Sequence, residues 1–221
     1  MIQDARKIPT HETVYARLRD MILYGILEPG QPVTIQGLVA ELDVGMTPVR
    51  EAIRRLAAEG ALMPQGNRRV TVPKMTPSIL DQVGFARRTI EPMLAERAGA
   101  LLTPRLIDRL AHLDAAVNDA IRTGNIPAYL ESNHAFHFAL YDVSGASVLV
   151  DMARSLWLRF GPSLRVVCTR AGTLGLPDQH AEALAAMRAG DWSALREAMD
   201  RDIAQGIDQV RIVLGQSGDR G

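Results

Sequence analysis

Asn133 and His137 are four residues apart, a spacing that puts both side chains on one face of a helix. There an amide oxygen and an imidazole nitrogen can reach a common ion. His180, near the start of the next-to-last helical segment, and Asp202, midway along the last, add a second imidazole and a carboxylate. Nitrogen and oxygen donors of this kind can hold zinc, nickel or manganese. By spacing alone, ordinary buried or half-buried histidines are the simpler reading of His137 and His180. His134 is turned about 100° from its neighbour Asn133 and reads as a helix-flank residue. Arg87 and Arg88 open the same region: one could reach a pocket and grip a carboxylate in bidentate fashion, or a solvated pair with Glu91 could hold it. Trp157 and Trp192 read as core residues, and Cys168 has no motif around it.

A second chemistry lies upstream. Arg50 and Arg54 stand one turn apart, while Val49, Ile53 and Leu56 recur at helical spacing on a different face, with Ala52 beside them. Thr47 reads as the N-cap of that helix and Pro48 as its first residue. A shorter helix, 36–42, precedes it, with Gln36 at its start and a turn through Asp43, Val44, Gly45 and Met46 between the two. Helix, tight turn and arginine-bearing second helix make a helix-turn-helix. After Gly60, a stop signal, residues 61–63 and 70–72 read as strands around the polar tip Gly66-Asn67-Arg68, a wing. Val33 reads as a short strand beside it.

The run Pro48-Val49-Arg50-Glu51-Ala52-Ile53-x-x-Leu56-x-x-Glu59-Gly60 resembles the signature of the GntR family of bacterial transcription regulators, as does Leu27-x-Pro29-Gly30. The resemblance implies that Arg50 contacts phosphate or guanine and that Thr47, at the helix N-terminus, takes a phosphate. Family members often carry Arg or another polar residue where Met46 stands, so only apolar contact, for instance to a thymine methyl, is left there. Gln36 is expected to cap its helix and touch the DNA backbone, and Gly66, Asn67 and Arg68 to enter the minor groove. Arg54 and Arg55 read as phosphate contacts or as merely solvated charges.

Downstream of a short linker at Pro73–Pro77, the pattern is helical over 77–101, 104–123, 126–143, 146–171, 177–189 and 192–214. The expected fold is mainly α: a winged helix-turn-helix over 1–73, an all-α antiparallel bundle over 77–215 and a tail over 216–221. Arg87-x-x-x-Glu91 with Ala95 and Ala98 resembles the opening helix of the FCD effector domain in the FadR-type branch of the family. The six segments favour its shorter, VanR-like form. That domain commonly holds a divalent metal through the pattern Asp-x3-His, His, His. Here His137 and His180 match, Asn133 replaces the Asp, and Asp202 replaces the third His. The ligand charge is thereby conserved, but Asn is a weak neutral donor, so affinity should fall.

The resemblance further implies a homodimer on a palindromic operator of double-stranded DNA, a small carboxylate effector in the helical domain, and repression as the usual outcome. A small metalloenzyme built on His137, His180 and Asp202, and an effector-independent DNA-binding protein, are the competing readings. Formal charge is zero, from 25 basic and 25 acidic residues, so no global field advertises nucleic acid. Between Arg50 and Lys74, however, six basic residues face two acidic ones, a local basic patch. One cysteine excludes a disulfide framework, no apolar run reaches the ~18 residues of a membrane span, and Met1-Ile2-Gln3-Asp4 does not read as a signal peptide. A cytoplasmic protein is expected.

Overall fold

The computed structural model describes residues 11–169 and 177–218. The lead-in over residues 1–10, the end of the fourth predicted helix (170–171) with the connection after it, and residues 219–221 lie outside them. The chain divides into two compact units, one formed by residues up to Ile22 with Ile26–Lys74, the other by Leu23–Gly25 with Met75 onward.

In the first unit, helix α1 (His11–Leu23) buries the expected stripe of Val14, Leu18, Met21 and Ile22. Strand β1 (Pro32–Thr34) leads into α2 (Ile35–Leu42). The cap of α2 is Thr34, whose hydroxyl accepts from the Gly37 amide at 3.0 Å. Gln36 therefore lies inside the first turn and caps nothing. Asp43 adopts a left-handed conformation (φ 52°), and Arg17 Nη1 donates to the Leu42 carbonyl at 2.7 Å, tying down the end of α2.

Helix α3 (Met46–Ala58) starts earlier than the Thr47-Pro48 pair suggested. Gly45 is its N-cap, without a side-chain bond, and Thr47 and Pro48 occupy the first turn. Pro48 is tolerated there because first-turn N–H groups have no intrahelical partner. Val49, Ala52, Ile53 and Leu56 are buried. Each of the larger three contributes about 1.5–3 kcal/mol by leaving water.

The helix ends on a Schellman motif: Gly60 (φ 76°) donates to the Ala57 carbonyl and Ala61 to that of Leu56. Those amides are spent on the cap, so β2 (Met63–Gln65) begins two residues later than predicted. It pairs antiparallel with β3 (Arg69–Thr71), which also pairs with β1, in the order β1-β3-β2. Pro32 and Pro64 sit on the two edge strands, where a missing donor breaks no ladder.

The second unit is a helical bundle: α4 (Pro77–Gly99), α5 (Pro104–Thr123), α6 (Ile126–Tyr141), α7 (Ser147–Phe160), a 3-10 segment (Gly161–Arg165), α8 (Val166–Thr169), α9 (Gln179–Ala189) and α10 (Trp192–Gly218). Thr76, Thr103, Asn125 and Asp178 cap α4, α5, α6 and α9 with their side chains. The fourth predicted segment breaks at Gly161-Pro162, because Pro162 lacks an N–H and its ring crowds the carbonyl four residues back. Helix α10 continues through Gly218, so the expected tail is helical over 216–218. Helix α4 packs on α10 and α7, and α5 on α6 and α9, around Leu80, Leu94, Phe136, Leu140, Trp157 and Met199.

Candidate nucleic-acid interface and metal centre

On α3 the arginines have separate fates. Arg50 is exposed and has no ion pair or hydrogen bond among the described residues. Arg54 is also exposed but folds back on Glu51 at 2.7 and 2.8 Å. Arg55 belongs to the fold: its guanidinium stacks 3.8 Å from the Tyr15 ring centre and bridges Glu12 and Glu59. Tyr15 in turn donates to Glu59 at 2.7 Å. Burial, that hydrogen bond and the Glu59 charge push its phenol up to about 12.

Thr47 is exposed in the first turn of α3, with Met46 half-buried beside it, and Gln36 is exposed in the first turn of α2. Gly66, Asn67 and Arg68 form the exposed wing tip, flanked by exposed Arg69. At Gly66 (φ 63°) no atom lies within 4 Å of a would-be Cβ, so it is backbone conformation that calls for glycine.

The bundle holds a partly open cavity of about 340 Å³ whose wall includes Arg87, Asp114, Asn133, His137, His180 and Asp202. Helix α6 supplies Asn133 and His137, α9 supplies His180, and α10 supplies Asp202. One ligand atom from each of His137, His180 and Asp202 falls within 4.8 Å of the others. His137 Nε2 is 3.2 Å from Asp202 Oδ2, and His180 Nε2 is 3.6 Å from Asp202 Oδ1. Ligand atoms about 2.0–2.1 Å from a tetrahedral zinc are themselves about 3.4 Å apart, close to these spacings.

The far nitrogen of each ring is already occupied. His180 Nδ1 meets Asp114 Oδ1 at 3.2 Å, and His137 Nδ1 meets the Tyr141 hydroxyl at 2.9 Å. His180 Nε2 is buried and without a hydrogen-bond partner. Two Nε2 atoms and a carboxylate thus converge, an electron-rich set that calls for a cation, and the residues present fit a divalent metal. Asn133, buried one turn before His137, lines the same space, and its amide makes no hydrogen bond among the described residues.

The charges follow the same geometry. Burial holds His137 below its ordinary pKa despite Asp202. For His180 burial works downward, but Asp202 and Asp114 outweigh it and the pKa is raised. Asp202 would be raised by burial, yet His180, His137 and Arg87 hold it at about 2.

Arg87 is buried and pairs with fully buried Glu91, Nε to Oε1 at 2.6 Å, rather than in a solvated bridge. Its guanidinium lies 4.5 Å and 4.4 Å from the ring centres of Trp157 and Phe160. Arg88 departs from its expected place. It is exposed, bound to Asp200 at 2.8 and 2.6 Å, and absent from the cavity wall, because its neighbour Arg87 takes the inward face of α4. His134 packs beside Phe138 and Trp157, and Trp157 is a core residue that also faces the cavity. Asp114 was missed from sequence. Its signal is a charge on the apolar stripe of α5, between buried Leu110 and Val117.

A winged helix-turn-helix and an all-helical unit with an internal cavity, in one chain, define a two-part regulator that binds DNA. Residues 10–72 match the family described as bacterial regulatory proteins, gntR family, and residues 82–205 match the FCD domain. The chain belongs to the GntR family of transcription regulators, in the branch that carries an FCD domain. It is 29% identical to the HTH-type transcriptional regulator McbR of Escherichia coli K12 over 194 residues, 86% of this chain and 87% of that one. Against the HTH-type transcriptional repressor RspR of the same organism it is 23% identical, over 96% of this chain and 93% of RspR. The solved structure of E. coli McbR/YncC superposes with a TM-score of 0.80 at 28% identity, covering 94% of this chain and 97% of that one. A GntR regulator from Rhodococcus sp. RHA1 shares the fold, with a TM-score of 0.71 at 22% identity over 90% of this chain and 96% of its own. The chain is accordingly a DNA-binding transcription regulator and not an enzyme, which removes the metalloenzyme reading. No helix among the described residues is long and apolar enough to cross a membrane.

Proposed function

We propose that the protein is a cytoplasmic, homodimeric repressor that binds a palindromic operator and is released or tightened by a small organic acid bound beside a divalent metal in the helical unit. The observation that carries this reading is the convergence of His137 Nε2, His180 Nε2 and Asp202 in one cavity next to Arg87. His137, His180 and Asp202, with Asn133 as a neutral fourth donor, would hold the ion. The metal would supply a positive anchor for a carboxylate. The cavity wall otherwise carries Asp114, Asp178 and Asp202, the charge of Arg87 is balanced by Glu91, and exposed Arg122 is paired with Asp119. A metal would therefore be the main unpaired positive charge drawing an anionic effector into the cavity.

Arg50 is the side chain placed to meet the duplex, since it alone of the three α3 arginines has no protein partner among the described residues. Thr47 and Met46 accompany it, and Gly66, Asn67 and Arg68 offer a second contact from the wing. Gln36 serves from the first turn of α2, and Arg54 joins where phosphate displaces Glu51. Arg87 faces the effector, whereas Arg88, held by Asp200, is left out.

Gel-shift titration on DNA flanking the protein's own gene tests the reading. A screen of hydroxy acids and sugar acids is run with the metal-loaded and the chelated protein. At least one acid should shift operator affinity in the loaded protein and none in the chelated one. An effector response that survives complete chelation would overturn the metal-anchored reading.

A further inference from the structure

We infer that Tyr141 and Glu91 are positioning residues that fix the tautomer of His137, keeping its Nε2 lone pair turned toward Asp202 and the cavity. Glu91 is fully buried and receives donors on both oxygens. Arg87 Nε reaches Oε1 at 2.6 Å, while Arg87 Nη2 at 3.2 Å, the Tyr141 hydroxyl at 3.0 Å and Trp157 Nε1 at 3.0 Å reach Oε2. Guanidinium and indole N–H groups only donate, so both Glu91 oxygens serve as acceptors.

Tyr141 has one proton, and Glu91 takes it. The phenol oxygen, 2.9 Å from His137 Nδ1, is then left as an acceptor, and the proton it accepts must be the one on Nδ1. The lone pair falls on Nε2, 3.2 Å from Asp202 Oδ2. The opposite tautomer would let Nε2–H donate to Asp202, but it would set the phenol oxygen against a bare Nδ1 at 2.9 Å or, with the phenol proton turned to Nδ1, against Glu91 Oε2 at 3.0 Å. The tautomer with the proton on Nδ1 keeps both of these bonds and leaves Nε2 open to a cation held beside Asp202. A carboxylate behind a metal-binding histidine orients the ring and raises its basicity. For His180 that carboxylate is Asp114, in direct contact. For His137 it is Glu91, acting through Tyr141. Glu91 stands on α4, His137 and Tyr141 on α6, and Trp157 on α7, so three helices join in holding one ring.

This inference rests on His137 being a metal ligand, and the experiment separates the two claims. Full-length protein with nitrogen-15 histidine is stripped of metal and studied by long-range proton–nitrogen NMR at alkaline pH, where both rings are neutral. Wild-type His137 and His180 should both carry the proton on Nδ1. In Tyr141→Phe, His137 should move its proton to Nε2, donating to Asp202, while His180 stays unchanged as the internal control. Calorimetric titration with zinc should show affinity about 10–100-fold weaker in that variant.

A wild-type spectrum with the His137 proton on Nε2 overturns the inference, and it does so even if the variant fails to fold. So does a folded variant that keeps the Nδ1 proton and wild-type zinc affinity. Wild-type protein that binds no zinc while His137 shows the Nδ1 tautomer sinks the metal reading and leaves the relay standing.

Discussion

His180 presents a buried Nε2 without a hydrogen-bond partner to Asp202 Oδ1, 3.6 Å away, while its Nδ1 is held by Asp114. A neutral ring in that position faces a carboxylate lone pair with its own. The raised pKa of His180 expresses the same tension, because a proton can stand where a metal would. A proton on His180 or a divalent cation in the cluster would relieve the same contact.

Asn133→Asp adds a carboxylate to that cluster. Zinc and manganese should bind more tightly than to the wild type, and the rise in melting temperature on adding metal should be larger. The metal-free variant should melt lower, since another anion then faces Asp202 and Asp114. Calorimetry and thermal melts with and without chelator check both signs, and unchanged affinity would place Asn133 outside the coordination shell.

Arg50→Ala should lose specific operator binding while far-ultraviolet circular dichroism and melting temperature stay as in the wild type. The slope of log affinity against log salt should fall by about one if the contact is to phosphate; a guanine contact would cost about 1–3 kcal/mol. Arg55→Ala should do the reverse, lowering the melting temperature because Glu12, Glu59 and Tyr15 lose their common partner, with little change in the salt slope.

Removing Glu91 strands a buried cation. Glu91→Leu should destabilise the protein by about 3–5 kcal/mol, because Arg87, only 2% exposed, is left without its anion. The double variant Arg87→Met with Glu91→Leu should recover much of that loss. Urea denaturation of the wild type, both single variants and the double variant closes the cycle, and strictly additive losses would show the pair is not coupled.

Cys168 should be a slow thiol. Burial pushes its pKa up to about 11, so at neutral pH the group is the protonated thiol and the reactive thiolate is scarce. Its alkylation rate in the folded protein should keep climbing about tenfold per pH unit past 9. A rate that levels off near the ordinary cysteine value would contradict this.

What local signals carry was legible in the chain itself. Thr76-Pro77 and Thr103-Pro104 start helices where expected, and the apolar spacing of Val49, Ile53 and Leu56 locates the face that α3 buries. Caps, prolines and periodicity act over a few residues, so they can be read in one dimension. Three-dimensional packing decided the rest. Arg87 and Arg88 are identical neighbours, yet one is sealed against Glu91 and the other is left in solvent. Arg55 is engaged by Glu12, 43 residues upstream, and His180 meets Asp114 across 66 residues. Which polar groups are paired inside a core depends on how helices far apart in the chain come together, and no local pattern encodes that.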